Sequence, residues 1–482
     1  MLKIFITFIF FQSMIFSQFG KNIVQYKSFD WNYIQTEHFD IYFYDKDINA
    51  QYVAFESDKA YKNISNALNW NLKNRVPIIV YNSHNDFQQT NVIDMYMPEG
   101  VGGVTELYKN RVVIPYDGSH TQFKHVIHHE LVHAFVNDYL YKGNAMNMQN
   151  ESINPIPLWM NEGLAEFLTE TWNTESEMWI RDIVINGNQL PTFNDLNGYL
   201  AYRGGHSVWK FLVEKYDTEH INNSSKSPTI ISRIFKSVSQ NKDLNEAFKQ
   251  SIGMNLSEIE EGWHKYLKEN YYSDINDREY FNDFSTSLLN LKEMNANYNV
   301  APSLSPDGKK LAFYSNDNGI MSLCIMPSDC QNCDRKKIKN ILKSNITSNV
   351  EEFHILKPGI SWSPNSNKLL VAVKSNGKDV MFIIDIDNGY KKIKLSLDDD
   401  VVGIFKPSWN PSNENLISFI GSNGFQTDIY IYDIQSNELI NLTDDIYTEH
   451  GVQWVENGKN LIFSSDRNSN LLDNSSKIND NW

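Results

Sequence analysis

The apolar positions of the first part of the chain follow two alternating periods. Residues 29–44 alternate apolar and polar side chains and end in His38-Phe39-Asp40-Ile41-Tyr42-Phe43-Tyr44, the period-two pattern of a strand with one buried face. Residues 49–70 change to helical spacing, and Val76-Pro77-Ile78-Ile79-Val80-Tyr81 returns to strand. A glycine-rich stretch, Glu99-Gly100-Val101-Gly102-Gly103-Val104-Thr105-Glu106-Leu107, precedes a further strand at Asn110-Arg111-Val112-Val113-Ile114-Pro115. Helical spacing then dominates. It covers 125–135, 158–167, an aromatic run at 199–212, and residues 228–238, 244–252 and 256–271. Ser119 with Gln122 three residues on, and Asn255 with Glu258, read as helix starts.

Residues 273–300 lose any sustained period, and a repeat begins beyond them. Pro302-Ser303-Leu304-Ser305-Pro306-Asp307-Gly308 returns as Ile360-Ser361-Trp362-Ser363-Pro364-Asn365-Ser366 and as Pro407-Ser408-Trp409-Asn410-Pro411-Ser412, with a weaker copy at residues 452–463. From Pro306 to Pro364 to Pro411 the steps are 58 and 47, blade-sized spacing with an insert in the first. A Pro-Asp-Gly turn joins two strands of a four-stranded blade. Asp379-Val380-Met381-Phe382-Ile383-Ile384-Asp385 and Asp428-Ile429-Tyr430-Ile431-Tyr432-Asp433 supply further strands. The chain stops at Trp482 before the outer strands of the fourth copy, so the ring is expected to be incomplete and the sequence a fragment.

The N-terminal pattern leads to the expectation of an exported chain. Lys3, an apolar run over residues 4–11, a polar break at Gln12-Ser13 and a second apolar group before Ser17-Gln18 read as a signal peptide over residues 1–18. The apolar stretch is shorter than the ~20 residues that span a bilayer, and no later segment is longer, so no integral membrane segment is expected in the mature chain. A formal net charge of -16 argues against nucleic acid as a partner. The only cysteines, Cys324, Cys330 and Cys333, leave room for one local disulfide, a metal or redox pair, or neither.

Candidate chemistry concentrates in His125-Val126-Ile127-His128-His129-Glu130-Leu131-Val132-His133-Ala134-Phe135. His129 and His133, at i and i+4, fall on one helix face and suit a shared metal ion, with Glu130 beside the first in reach of a metal-bound water. Ile127, Leu131, Ala134 and Phe135 point elsewhere and are expected to anchor the helix in the core. A catalytic zinc site needs a third protein ligand. Glu162, in Leu158-Trp159-Met160-Asn161-Glu162-Gly163-Leu164-Ala165-Glu166-Phe167, is the candidate. Glu166, one turn further, is expected to hold a ligating histidine from behind. His120, His125 and His128 lack ligand spacing.

HExxH followed by a helix-borne glutamate resembles the gluzincin, or peptidase-MA-like, zinc metallopeptidases, and Asn161-Glu162-Gly163 matches the NEG signature of the aminopeptidase N family. The gap from His133 to Glu162 is longer than in those families. The later repeats, with Asn441-Leu442-Thr443, resemble TolB-type propellers. The resemblance implies an α+β zincin-like catalytic domain at 19–275, a linker at 276–300, and an all-β propeller from 301 to 482. It also implies a mixed sheet in which the strand after the glycine-rich stretch, residues 110–115, is the edge that pairs with an extended peptide, Zn held by His129, His133 and Glu162, and Glu130 as general base. Tyr202 is the first candidate to steady the oxyanion, with Tyr199 and His206 behind it and core packing the rival reading. A glutamate before HExxH binds the substrate amine in that family; Glu106 corresponds loosely. The expectation is an exported peptidase, periplasmic or extracellular, acting on a peptide or protein substrate. The rival is a non-catalytic envelope scaffold whose propeller captures a protein partner. Neither substrate identity nor aminopeptidase against endopeptidase action is readable.

Overall fold

A computed structural model describes residues 23–93, 96–141, 156–187, 189–217, 229–241, 243–277, 279, 281–289, 294–316, 319–344, 349–395, 397 and 400–467. The predicted signal peptide and most of the polar insert after residue 141 lie outside them.

The N-terminal sheet is mixed. β1 (Asn32–Gln35) runs antiparallel to β2 (Phe39–Phe43), which lies parallel to β3 (Val76–Tyr81), and β3 lies parallel to β5 (Val112–Pro115). The two-residue β4 (Val104–Thr105) pairs antiparallel with β5 and ends the sheet, so the strand at residues 110–115, expected to be the edge, is enclosed between β3 and β4, and the edge falls on β4 because the glycine-rich stretch itself folds back on β5. Ile41, Ile78 and Val112 share one register line and are fully buried, because period-two alternation sends all three to the helix-covered face. α1 (Ile48–Leu68) covers that face and stops where Asn69 turns left-handed.

Beneath the sheet, α3 (His120–Tyr141), reached after the short α2 (His84–Phe87), is capped by Ser119 Oγ, which accepts the Gln122 N–H at 3.3 Å. Its Ile127, Leu131, Ala134 and Phe135 are buried as the spacing predicts. They join one core with α4 (Leu158–Thr169), α5 (Thr174–Asn186), α6 (Tyr199–Tyr216), α7 (Ile230–Gln240), α8 (Leu244–Ile252) and α9 (Leu256–Tyr271). The capping box at Asn255 and Glu258 forms in both directions.

Two glycines let α4 and α6 cross at backbone contact. A Cβ on Gly163 would lie 2.3 Å from the Gly205 carbonyl carbon, and one on Gly205 would lie 2.2 Å from the Trp159 oxygen. No larger residue fits that crossing.

The C-terminal half is built of antiparallel sheets in chain order. The first is β6 (Asn299–Leu304), β7 (Lys310–Ser315), β8 (Ser322–Pro327) and β9 (Lys339–Lys343). The second comprises β10 (Glu352–Phe353) and β11 (Ile360–Trp362), both on β12 (Lys368–Ser375), then β13 (Lys378–Asp385) and β14 (Lys391–Leu395). The third is β15 (Gly403–Trp409), β16 (Leu416–Ser422), β17 (Thr427–Asp433) and β18 (Glu438–Asn441), followed by the pair β19 (Glu449–Val455) and β20 (Asn460–Ser465). This is a propeller-like succession of blades.

The repeated residues stitch one blade to the next. Trp362 Nε1 donates to Ser303 O at 3.0 Å, Trp454 Nε1 to Ser408 O at 3.2 Å, and the Trp409 N–H to Ser361 Oγ at 2.8 Å. Within the turns, Ser305 Oγ accepts the Lys310 N–H and Ser363 Oγ the Lys368 N–H, which explains the serine at the same place in both copies.

Part of the expected linker is not free. The Cys333 N–H donates to Leu288 O at 2.9 Å, and Leu288 and Leu289 pack beside the Cys330–Cys333 disulfide on the first blade. Of the three fates open to the cysteines, a local disulfide is the one found, with Cys324 buried and unbridged.

Candidate metal centre

α3 carries His129 and His133 one turn apart, with their Nε2 atoms 3.2 Å from each other. α4 brings Glu162 Oε2 to 3.2 Å from His129 Nε2 and 3.1 Å from His133 Nε2. The three donor atoms therefore form a nearly equilateral triangle. Tetrahedral ligands ~2.1 Å from a zinc ion stand ~3.4 Å from one another, so the triangle fits one face of such a site. Carboxylate and imidazole are also the donor types zinc selects.

The electrostatics agree with a place made for positive charge. Burial alone would lower the His129 pKa, but the Glu162 and Glu166 carboxylates outweigh it and raise it to about 10. Burial would raise Glu162, yet His133 and His129 hold it far below the usual carboxylate range.

Glu166 stands behind the first histidine as its spacing suggests, with Oε1 3.1 Å from His129 Nδ1. Its burial is likewise outweighed, here by His125 and His129, which keep it ionised. Arg203, one residue past Tyr202 on α6, ties this layer together. Its Nη1 donates to Glu166 Oε2 at 2.9 Å and Glu170 Oε1 at 3.0 Å, and its Nη2 to Glu175 Oε1 at 2.9 Å. Two further groups, His125 with His129 and Glu166, and Glu166 with Glu170 and His206, also gather three donors within 4.8 Å. Their shared Glu166 already holds the Arg203 cation, so the His129, His133 and Glu162 set suits an ion best.

Glu130 is buried beside the triangle. Thr105 Oγ1, on the edge strand β4, lies 2.6 Å from Glu130 Oε2 and 3.0 Å from Glu130 O. Gly103 presses against the same side chain, since a Cβ there would come within 3.0 Å of Glu130 Cγ.

Three residues were candidates for the oxyanion donor. The Tyr202 ring stacks on His129 with centroids 5.7 Å apart and planes at 15°. Burial first, then the Glu162 and Glu130 carboxylates, raise its pKa and keep the phenol protonated. Tyr199 stacks outside Tyr202, but its hydroxyl donates to Glu175 Oε1 at 2.9 Å and accepts from Arg203 Nε at 3.0 Å. His206 is buried behind the site, its Nδ1 3.4 Å from Ser176 Oγ, and burial pushes its pKa down to about 4. Only the Tyr202 ring contacts a residue of the triangle.

Glu106 is held elsewhere, with Arg111 Nε donating to its Oε2 at 2.6 Å across the turn from β4 to β5. His128 Nε2 lies 2.9 Å from the buried Glu56 carboxylate on α1, His125 belongs to the Glu166 layer, and His120 packs against Tyr52 and Tyr116. Arg203, Thr105 and Glu56 were not anticipated from sequence. Arg203 had one local signal, its i, i+4 spacing from Tyr199; Thr105 and Glu56 had none.

No known protein family matches this chain, and no curated protein matches it. Solved structures similar to part of it include the putative TolB of Agrobacterium tumefaciens, at 19% identity and TM-score 0.28 over 35% of this chain and 54% of that one. TolB of Acinetobacter baumannii is 16% identical at TM-score 0.28, over 45% and 57%. The β-propeller domain of Myceliophteria thermophila Cps50 (Swd1) is 15% identical at TM-score 0.24, over 35% and 49%. This chain thus spans about half the length of each. Among the described residues no helix is long and apolar enough to cross a membrane.

Proposed function

We propose that this chain is an exported zinc-dependent peptidase that hydrolyses peptide bonds. The observation that carries the reading is the convergence of His129, His133 and Glu162 at 3.1–3.2 Å beside a buried Glu130. Zinc bound there supplies Lewis acidity, polarising a carbonyl and bringing the pKa of a coordinated water to about 7. Glu130 takes the water's proton as oxygen adds to the carbonyl carbon, and delivers it to the amine nitrogen as the C–N bond breaks. Tyr202 donates its phenolic hydrogen to the oxygen that becomes negative. Glu166 and Arg203 fix the His129 ring and touch no substrate. Thr105 keeps the Glu130 carboxylate aimed, and the free edge of β4 offers an extended peptide its backbone partners.

The rival reading is a non-catalytic envelope scaffold whose propeller captures a protein. The propeller-like blades of the C-terminal half, which carry none of the triangle's donor groups, favour it.

Metal content and peptide-library cleavage of the full chain, beside Glu130→Gln, separate the two. The peptidase reading expects one zinc in both proteins and a loss of cleavage on the order of 10²–10⁴ in the variant. Bound zinc with no cleavage in either protein leaves the scaffold.

A further inference from the structure

A cavity of about 220 Å³ lies between the two halves of the molecule, walled on one side by Gly102, Val126 and Asp117 and on the other by Leu356, Lys357 and Phe405. It adjoins the metal centre. Val126 sits one helical turn, ~5.4 Å, before Glu130 on α3, and Gly103 rests against both. A Cβ on Gly103 would come 2.8 Å from Val126 Cγ1 and 3.0 Å from Glu130 Cγ. Gly102, which lines the cavity, is the chain neighbour of Gly103, which touches Glu130, so the cavity and the general base share adjacent walls.

The walls are acidic. Four carboxylates line the cavity, those of Glu99, Asp117, Glu352 and Asp379, against three potential cations, His84, His354 and Lys357, and burial lowers the His84 pKa. The carboxylates of Glu99 and Asp379 are committed to His354, at 3.5 and 3.1 Å, and Glu352 accepts from Gln88, Tyr96 and the Glu99 N–H. Asp117 is bound differently. The Lys357 ammonium, carried on the loop between β10 and β11, donates to Asp117 O at 2.6 Å and Asp117 Oδ2 at 3.0 Å, and stands 4.4 Å over the Phe405 ring. Carbonyl, carboxylate and aromatic face together make a receptor for an ammonium or guanidinium group. The Lys357 and Asp117 side chains remain 31% and 34% exposed, so water reaches the pair and an incoming cation can replace it.

We propose that this cavity is a recognition subsite for a lysine or arginine side chain of the peptide substrate, and that Lys357 fills it from within as an internal surrogate. The propeller thereby supplies part of the specificity of a site whose chemistry lies on α3 and α4. The proposal rests on the peptidase reading for the word substrate, but the binding it predicts does not require turnover.

The test uses the zinc-loaded full chain carrying Glu130→Gln, so that cleavage is suppressed during the titration. Its probes are two fluorescein-labelled alanine-based octapeptides, identical except for one lysine or its uncharged isostere norleucine. Fluorescence anisotropy should show the lysine peptide binding at least five-fold tighter. Adding Lys357→Ala should widen that ratio by vacating the receptor, and adding Asp117→Asn should bring it near one. Equal binding of both peptides before and after Lys357→Ala overturns the subsite, as does a lysine preference that neither substitution moves. Thermal melts of each variant exclude misfolding, and Lys357→Met repeats the Lys357 arm with the aliphatic stem retained. Cleavage by the unsubstituted protein without a lysine or arginine preference defeats this proposal alone. A lysine preference in binding with no cleavage by the unsubstituted protein defeats the peptidase reading and leaves the receptor standing.

Discussion

In the helical half, α3, α4 and α6 start at residues 120, 158 and 199 and meet at one point; in the blades, β7 pairs with β8, β12 with β13 and β16 with β17, each with its neighbour in the chain. Polar side chains follow the same division. His129, His133, Glu162 and Glu166 turn toward one another in a buried place, whereas the recurring Ser and Trp residues of the blades are consumed in stitching one sheet to the next. A fold made of local pairings spends its polar groups on itself. One made of distant crossings can leave several facing a common centre, at the cost of depending on every crossing.

That contrast predicts where the molecule is fragile. Arg203→Met removes the guanidinium that Glu166, Glu170 and Glu175 share and should weaken zinc binding 10–100-fold, read by competition with a chelator. Loss of Arg203 with unchanged affinity would mean that the carboxylate layer does not hold the His129 ring. Gly205→Ala forces a methyl to 2.2 Å from the Trp159 oxygen and should cost ~1–3 kcal/mol or more in urea unfolding, while lowering zinc content by separating α4 from α6.

Where the halves meet, the effect is smaller and depends on pH. Burial would lower the His354 pKa, but Asp379 and Glu99 raise it to about 10. A histidine whose folded pKa exceeds the ordinary 6.5 contributes its stabilisation fully below pH 6.5 and loses it as pH rises through about 10. The difference in Tm between the unsubstituted chain and His354→Gln should be largest near pH 6 and shrink toward zero at pH 10. A pH-independent difference would show that the charge is irrelevant to the contact. In the blades, Trp362→Phe removes one stitch to Ser303 and should cost ~0.5–1.5 kcal/mol with zinc content unchanged.

Much of the fold was legible because its signals are local. The alternation at residues 39–43 and 76–81 gave β2 and β3, helical spacing gave α3 with its buried Ile127, Leu131 and Phe135, and the serine-proline turns marked the blades. The glycine-rich stretch yielded only a two-residue strand, because Gly102 and Gly103 are held by their fit against Val126 and Glu130. Glu106 was legible as a carboxylate but its bond to Arg111 depends on the register of β4 with β5, and the linker's docking on the first blade depends on a surface the local pattern does not describe.

The sequence by itself determined that His129 and His133 share a helix face with Glu130 between them, and that four related segments follow, because spacing along a helix and repetition along a chain are properties of neighbours. The tertiary structure alone decided that Glu162, the candidate the sequence offered, comes within 3.2 Å of both rings, that Arg203 braces the layer behind it and that Lys357 reaches Asp117 from the other half. Those contacts join residues far apart in the chain, and their distances are set by how closely helices and blades pack, which no local pattern encodes.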